Sequence, residues 1–180
     1  GDFRKPGTGG NLPAGEVYIS PELGKSKGTI VFDGSISVTN GDVVTKEPVV
    51  VSVEGGFVTE IEGGREADAL REAIGNGERS PSIWASEGKM AANLVANYKK
   101  NARSLGELGI GLNRAAEIVG NMLEDEKVYS TCHIAIGSNY DDDAKAMTHL
   151  DCLVKKPTIE LAYSNGAKKT VMEAGALVSR

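Results

Sequence analysis

The sequence predicts an α+β fold, mostly antiparallel strands with a few helices, with a metal site between strands. Three stretches carry that prediction. The first is Pro48-Val49-Val50-Val51-Ser52-Val53-Glu54, then Gly55-Gly56, then Phe57-Val58-Thr59-Glu60-Ile61-Glu62: two strand-like runs around a glycine pair, which is hairpin chemistry. The second is a pair of short apolar runs, residues 131–137 and 148–154, each holding one of the chain's two histidines. The third is residues 87–101, where Met90, Leu94, Val95 and Tyr98 recur at helical spacing and read as a core-packing stripe. A chain of 180 residues suffices for one domain with a sizeable core, so residues 1–180 read as a single catalytic metal-binding domain.

Taken in order, residues 1–15 are rich in Gly and Pro and predict a loop that ends at Glu16, ahead of the apolar Val17-Tyr18-Ile19. Residues 28–34 and 35–39 read as strand material broken by turn chemistry. The hairpin over residues 48–62 follows, its second arm alternating apolar and polar. Residues 67–74 predict a short helix, Leu70 and Ile74 one turn apart, stopped by Gly75-Asn76-Gly77. Residues 80–86, with Pro81 and the single Trp84, read as a turn region before the helix over 87–101. The whole stretch 67–101 is expected to pack as a lid or buttress and to supply no ligand. Leu105-Gly106-Glu107-Leu108-Gly109-Ile110-Gly111 predicts a glycine-rich strand open to close approach by backbone or ligand. Residues 114–127 predict a helical turn or two. After the two histidine strands, residues 158–163 and 168–172 around Ser164-Asn165-Gly166 predict a closing hairpin.

Bulk composition excludes several classes. A formal net charge of -5 offers no basic footprint for nucleic acid. No apolar run approaches the roughly 18–20 residues that span a bilayer. The two cysteines, Cys132 and Cys152, each adjoin a candidate ligand instead of forming a spaced framework, which fits a reduced, cytoplasmic chain in which both act as small core residues. The chain opens on Gly1-Asp2-Phe3-Arg4, without an initiator methionine, and reads as a fragment or as a piece cut from a longer polypeptide.

The candidate chemistry starts at the histidines. In a strand, His149 and Asp151 share a face about 7 Å apart, close enough for imidazole and carboxylate to reach one ion. A pair of satisfied core histidines is the plainer alternative; two histidines with a same-face aspartate, in otherwise apolar strands, favour metal. Glu107, between Gly106 and Leu108, and more weakly Glu16, between Gly15 and Val17, are carboxylates in uncharged surroundings, where burial requires a cation. The run Glu124-Asp125-Glu126 reads as a solvated face, and Tyr140, ahead of Asp141-Asp142-Asp143, as a turn-packing residue.

Five ordered segments then resemble a known family. They are Asn11-Leu12-Pro13-Ala14-Gly15-Glu16-Val17-Tyr18, the strand at 105–111, Leu123-Glu124-Asp125-Glu126-Lys127, His133-Ile134-Ala135-Ile136-Gly137 and His149-Leu150-Asp151. Together they resemble the catalytic half of the M29 family, the thermophilic aminopeptidase T-like metallo-aminopeptidases. The resemblance implies a two-metal centre, zinc or cobalt, held by Glu16, Glu107, His133, Tyr140, His149 and Asp151. It also implies a peptide substrate and a homodimer. Within it, a metal-activated water attacks the N-terminal peptide carbonyl, Glu107 passes a proton to the leaving amine, and Tyr140 binds a metal or hydrogen-bonds the oxyanion. Two departures stand out: the family's additional N-terminal domain is absent from this sequence, and the stretch 67–101 is longer than expected between the two glutamates.

Other readings stay open. His133, His149 and Asp151 also make the 2-His-1-carboxylate set of a mononuclear non-haem iron oxygenase. A ring-cleaving dioxygenase group acting on dihydroxypyridines resembles the same fold and uses a similar set. A non-catalytic, metal-stabilised module is the remaining alternative.

Overall fold

A computed structural model describes residues 13–178 together with Arg4 and Pro6. The expected loop over residues 1–15 lies largely outside the described residues, as do Asn11 and Leu12 of the first resembling segment. Twelve strands and three α-helices are present among the described residues, and every ladder between strands is antiparallel, so the α+β expectation holds.

The central element is a six-stranded sheet. Its strands are β1 (Glu16–Ile19), β3 (Ser35–Val38), β4 (Gly41–Val44), β7 (Leu105–Gly111), β8 (Thr131–Gly137) and β9 (His149–Lys155), in the spatial order β1-β7-β8-β9-β3-β4. A second sheet contains β2 (Gly28–Phe32) and the hairpin β5 (Val49–Glu54) and β6 (Phe57–Glu62), in the order β2-β5-β6. The small closing sheet is β10 (Ile159–Ala162), β11 (Lys168–Glu173) and β12 (Ala176–Leu177).

Period-two alternation divides the large sheet into two faces. Ile136, Leu150 and Cys152 point into the core, where they meet Phe32, Val49, Val51, Val53 and Val58 of the second sheet and Ala67, Leu70, Ala73 and Ile74 of a helix. The opposite face carries His133, Asp151 and His149. Both cysteines are buried and unbridged; burial, then the charge of Asp33, pushes the Cys132 thiol up to about 11. They are packing residues.

The helical region departs from expectation. One helix, α1 (Arg65–Ser86), runs through the segment read as a short helix, a glycine stop and a turn. Its buried positions, Ala67, Leu70, Ala73, Ile74, Gly77 and Pro81, follow the three-four spacing of a single core-facing stripe. Gly75 and Gly77 are not in the left-handed conformation that ends a helix. Gly77 instead lets the helix pass close by: a Cβ there would sit 2.7 Å from Thr148 Oγ1 and 3.3 Å from Ala102 Cβ. The true stop is Gly88, at φ 72°. Gly88 N–H donates to Ala85 O at 3.1 Å and Lys89 N–H to Trp84 O at 2.8 Å, a Schellman closure.

That closure forbids the helix expected from residue 87. Only a 3-10 turn at Ala92–Leu94 and the short α2 (Val95–Asn101) form, and α2 buries no residue fully. Met90, Leu94 and Tyr98 line an open groove of about 480 Å³ with Trp84 and Met147, so the stripe is surface and not core. A third correction concerns the acidic run. α3 (Met122–Asp125) buries Asp125 completely, its carboxylate accepting Val119 N–H at 2.8 Å and Gly120 N–H at 3.0 Å, and Glu126 is buried beside it. Two of the three carboxylates therefore face inward.

Candidate functional site

Strand pairing alone brings the predicted residues together. Residues opposite one another in a ladder share a face. Glu16 pairs with Gly111, Gly109 with His133, Glu107 with Ala135, Ala135 with Asp151, and Gly137 with His149. One face of β1-β7-β8-β9 thus carries Glu16, Glu107, His133, His149 and Asp151, and the positions between them are glycine or alanine. The small residues make room. A Cβ on Gly109 would lie 2.1 Å from the His133 imidazole, so the ring can rest there only over bare backbone.

Glu107 occupies the middle. Its Oε1 is 3.1 Å from His133 Nε2 and its Oε2 is 3.6 Å from His149 Nε2. On the β1 side, Glu16 Oε2 stands 3.6 Å from His133 Nε2. On the β9 side, His149 Nε2 is 3.3 Å from Asp151 Oδ1. Glu107 is 4% exposed and His133 0%, so these charges are shielded from water. Glu16 Oε2, Glu107 Oε2, Asp151 Oδ1 and His133 Nδ1 are buried without a hydrogen-bond partner. Uncompensated buried charge costs several kcal/mol per ion, so the orphaned oxygens of Glu107 and Asp151, facing histidine nitrogens, call for a cation.

The tautomer of His149 sharpens the point. Its Nδ1 lies 2.8 Å from the carbonyl oxygen of Ser138, which only accepts, so Nδ1 carries a proton and donates it. In the neutral ring, Nε2 then presents a lone pair to two carboxylates. Only a proton or a metal ion resolves that clash. Burial alone would lower the pKa, but the adjacent Asp151 carboxylate, the Ser138 carbonyl and Glu107 outweigh it and carry it from 6.5 up to about 9. A backbone carbonyl fixing the far nitrogen is the usual outer support of a metal-binding histidine.

Tyr140 stands apart. Its side chain is 66% exposed, and its ring meets the His149 ring edge-on at 5.5 Å and Tyr18 at 5.2 Å. Burial, then the carboxylates of Glu107 and Asp151, raise the phenol above its ordinary value, so near neutral pH it is a hydrogen-bond donor at the edge of the cluster.

Two residues escaped sequence reasoning. Lys127 is 1% exposed, with its ammonium 3.0 Å from Glu16 Oε1 and paired with Glu126 Oε1. Glu126, Glu16 and His133 each place a ligand atom within 4.8 Å of the others. The available signal was Asp125-Glu126-Lys127 three residues ahead of an apolar strand, but charge runs usually mark solvated faces, and nothing local says that this one is covered.

Residues 1–164 match the family described as NicX, 2,5-dihydroxypyridine 5,6-dioxygenase. The chain belongs to that family. No curated protein matches the sequence. Among solved structures, 2,5-dihydroxypyridine dioxygenase from Pseudomonas putida KT2440 is similar at a TM-score of 0.67 and 22% identity, over 93% of this chain and 44% of that one. Wild-type AmpT from Thermus thermophilus is similar at 0.67 and 19% identity, over 93% and 40%. This chain spans less than half the length of either. At these identities the likeness establishes a shared fold. The M29 resemblance thus stands as a distant structural relation, while the family match is to NicX. No helix among the described residues is long and apolar enough to cross a membrane.

Proposed function

We propose that this NicX-family chain carries the metal centre of a non-haem iron dioxygenase that opens a dihydroxylated pyridine-type ring, with His133, His149 and Asp151 as the 2-His-1-carboxylate set. One observation carries the reading beyond the family match: His149, its Nδ1 tied to Ser138, turns Nε2 to within 3.3 Å of Asp151 on the face that holds His133. Iron there would supply dioxygen chemistry and a positive anchor for a ring hydroxylate. The protein's own groups do the rest. Asp151 and the histidines would supply donors, Glu107, between the two histidines, would take a proton from a ring hydroxyl, and Tyr140 would offer its phenol proton at the exposed edge.

A second reading rests on Glu107. Its two oxygens address different histidines, the arrangement of a carboxylate bridging two ions about 3.5–4 Å apart. On that reading the chain is a metallo-aminopeptidase, with two zinc or cobalt ions held by Glu16, Glu107, His133, Tyr140, His149 and Asp151.

Metal counting and turnover together decide. Loaded anaerobically with Fe(II), the full chain should hold one iron and consume dioxygen on addition of 2,5-dihydroxypyridine, and His149→Ala should abolish both. Two zinc or cobalt ions per chain, with hydrolysis of aminoacyl arylamides and no dioxygen uptake, would replace the oxygenase with the hydrolase. Bound iron with neither activity would leave a structural metal module.

A further inference from the structure

We propose that Lys127 is a resident cation that takes the place of a divalent ion at the Glu16–Glu126 corner, so that the centre loads one ion instead of two. The inference rests on the single-iron reading above and deepens it. Five observations bear on it. The ammonium is buried, with the side chain 1% exposed. It touches both carboxylates of the corner, Glu16 at 3.0 Å and Glu126 in a tight pair. Those two carboxylates and His133 converge to within 4.8 Å, a spacing that suits one ion's shell. Four carboxylates, Glu16, Glu107, Glu126 and Asp151, crowd the face, and Lys127 pairs with two of them. Finally, the backbone holds Lys127 in place: its N–H donates to Glu124 O at 2.9 Å, and its carbonyl accepts Asn113 N–H at 2.8 Å.

The chemistry follows from charge and geometry. An ammonium is a compact point charge with three donors, so it can bind two carboxylates at once while leaving each a second oxygen. Glu16 uses Oε1 on Lys127 and turns Oε2 to His133. A divalent ion at the same corner would have to share both carboxylates with a neighbouring positive charge under little screening. The lysine therefore excludes the ion it resembles. It leaves the Glu107, His149 and Asp151 side as the part of the cluster with uncompensated negative charge.

Removing the ammonium should open the corner. In Lys127→Met, which keeps the length and apolar stem, Glu16 and Glu126 lose their cation, and their freed carboxylates make a new ligand pair beside the His133 already assigned to the first ion. The chelated full chain and its variant are titrated anaerobically with Co(II), desalted and analysed for metal, and far-ultraviolet circular dichroism checks the fold. Wild type is expected to retain one cobalt per chain and Lys127→Met two. One cobalt in each would overturn the stand-in role while leaving the single-ion reading intact. Two in wild type would overturn both. A folded Lys127→Met that holds no cobalt would show that the lysine supports the first ion instead of excluding a second, and would also overturn it. Should Lys127→Met not fold, Glu126→Gln decides. With the lysine still paired to Glu16 the count should stay at one, and its loss would make Glu126 a ligand and end the proposal.

Discussion

His149 answers two opposed demands. Its Nδ1 is committed to Ser138, so Nε2 must face Asp151 and Glu107 either protonated or bound to metal. Without metal, the folded pKa of about 9 lies above the ordinary 6.5. Its contribution to stability is therefore fully present below pH 6.5 and lost as pH rises through about 9. Near neutral pH the proton and the metal compete for the same nitrogen. Metal loading should release about one proton from this residue, and affinity should weaken as pH falls. Calorimetric titration with Co(II) in two buffers of different ionisation enthalpy reads that release directly. His149→Ala should lower it by about one; an unchanged release would assign the proton elsewhere.

At the scale of the element, β7 shows how a strand's pattern becomes a site. Gly109 and Gly111 alternate with apolar residues on the same face as Glu107, and the bare backbone at Gly109 is what admits the His133 ring. Gly109→Ala places a methyl 2.1 Å from that ring, against a side chain that is 0% exposed and has nowhere to retreat. The variant should keep its strands by circular dichroism and lose metal affinity by at least about tenfold, the equivalent of about 1.4 kcal/mol. Unchanged affinity would mean that His133 is not a donor. The same strand was legible in the sequence because the cues that define it are local: period-two alternation and glycines. So were the hairpin at β5–β6 and the strand geometry at His149 and Asp151. The helices were not. Gly75-Asn76-Gly77 looks like a stop, yet the helix continues because Leu70, Ala73 and Ile74 pack into a core assembled from distant strands. Lys127 and Glu126 were missed for the same reason, since their burial depends on β1, which lies about a hundred residues away in the chain.

Across the whole molecule, the six-stranded sheet keeps its two faces for different work. One face packs against α1 and the β2-β5-β6 sheet, and the other gathers charge. The carboxylates and imidazoles lie on β1, β7, β8 and β9, from Glu16 to Asp151, so an ion bound among them would tie together strands that are far apart in sequence. It would also relieve the repulsion among Glu16, Glu107, Glu126 and Asp151, which Lys127 offsets only in part. A ligand that binds only the folded state, present at about a hundredfold over its dissociation constant, adds about 2.7 kcal/mol. For a chain of this size, each kcal/mol moves the melting temperature by about 2–4 °C. Chelation should therefore lower Tm by roughly 5–10 °C, a shift read by calorimetry or circular dichroism and restored by adding metal back. In His149→Ala the chelator-dependent shift should largely disappear, because the ion it reports can no longer bind. A wild-type Tm indifferent to chelator and to added metal would mean that the charged face is held together by Lys127 and a protonated His149 alone, and the metal reading of the whole sheet would fall.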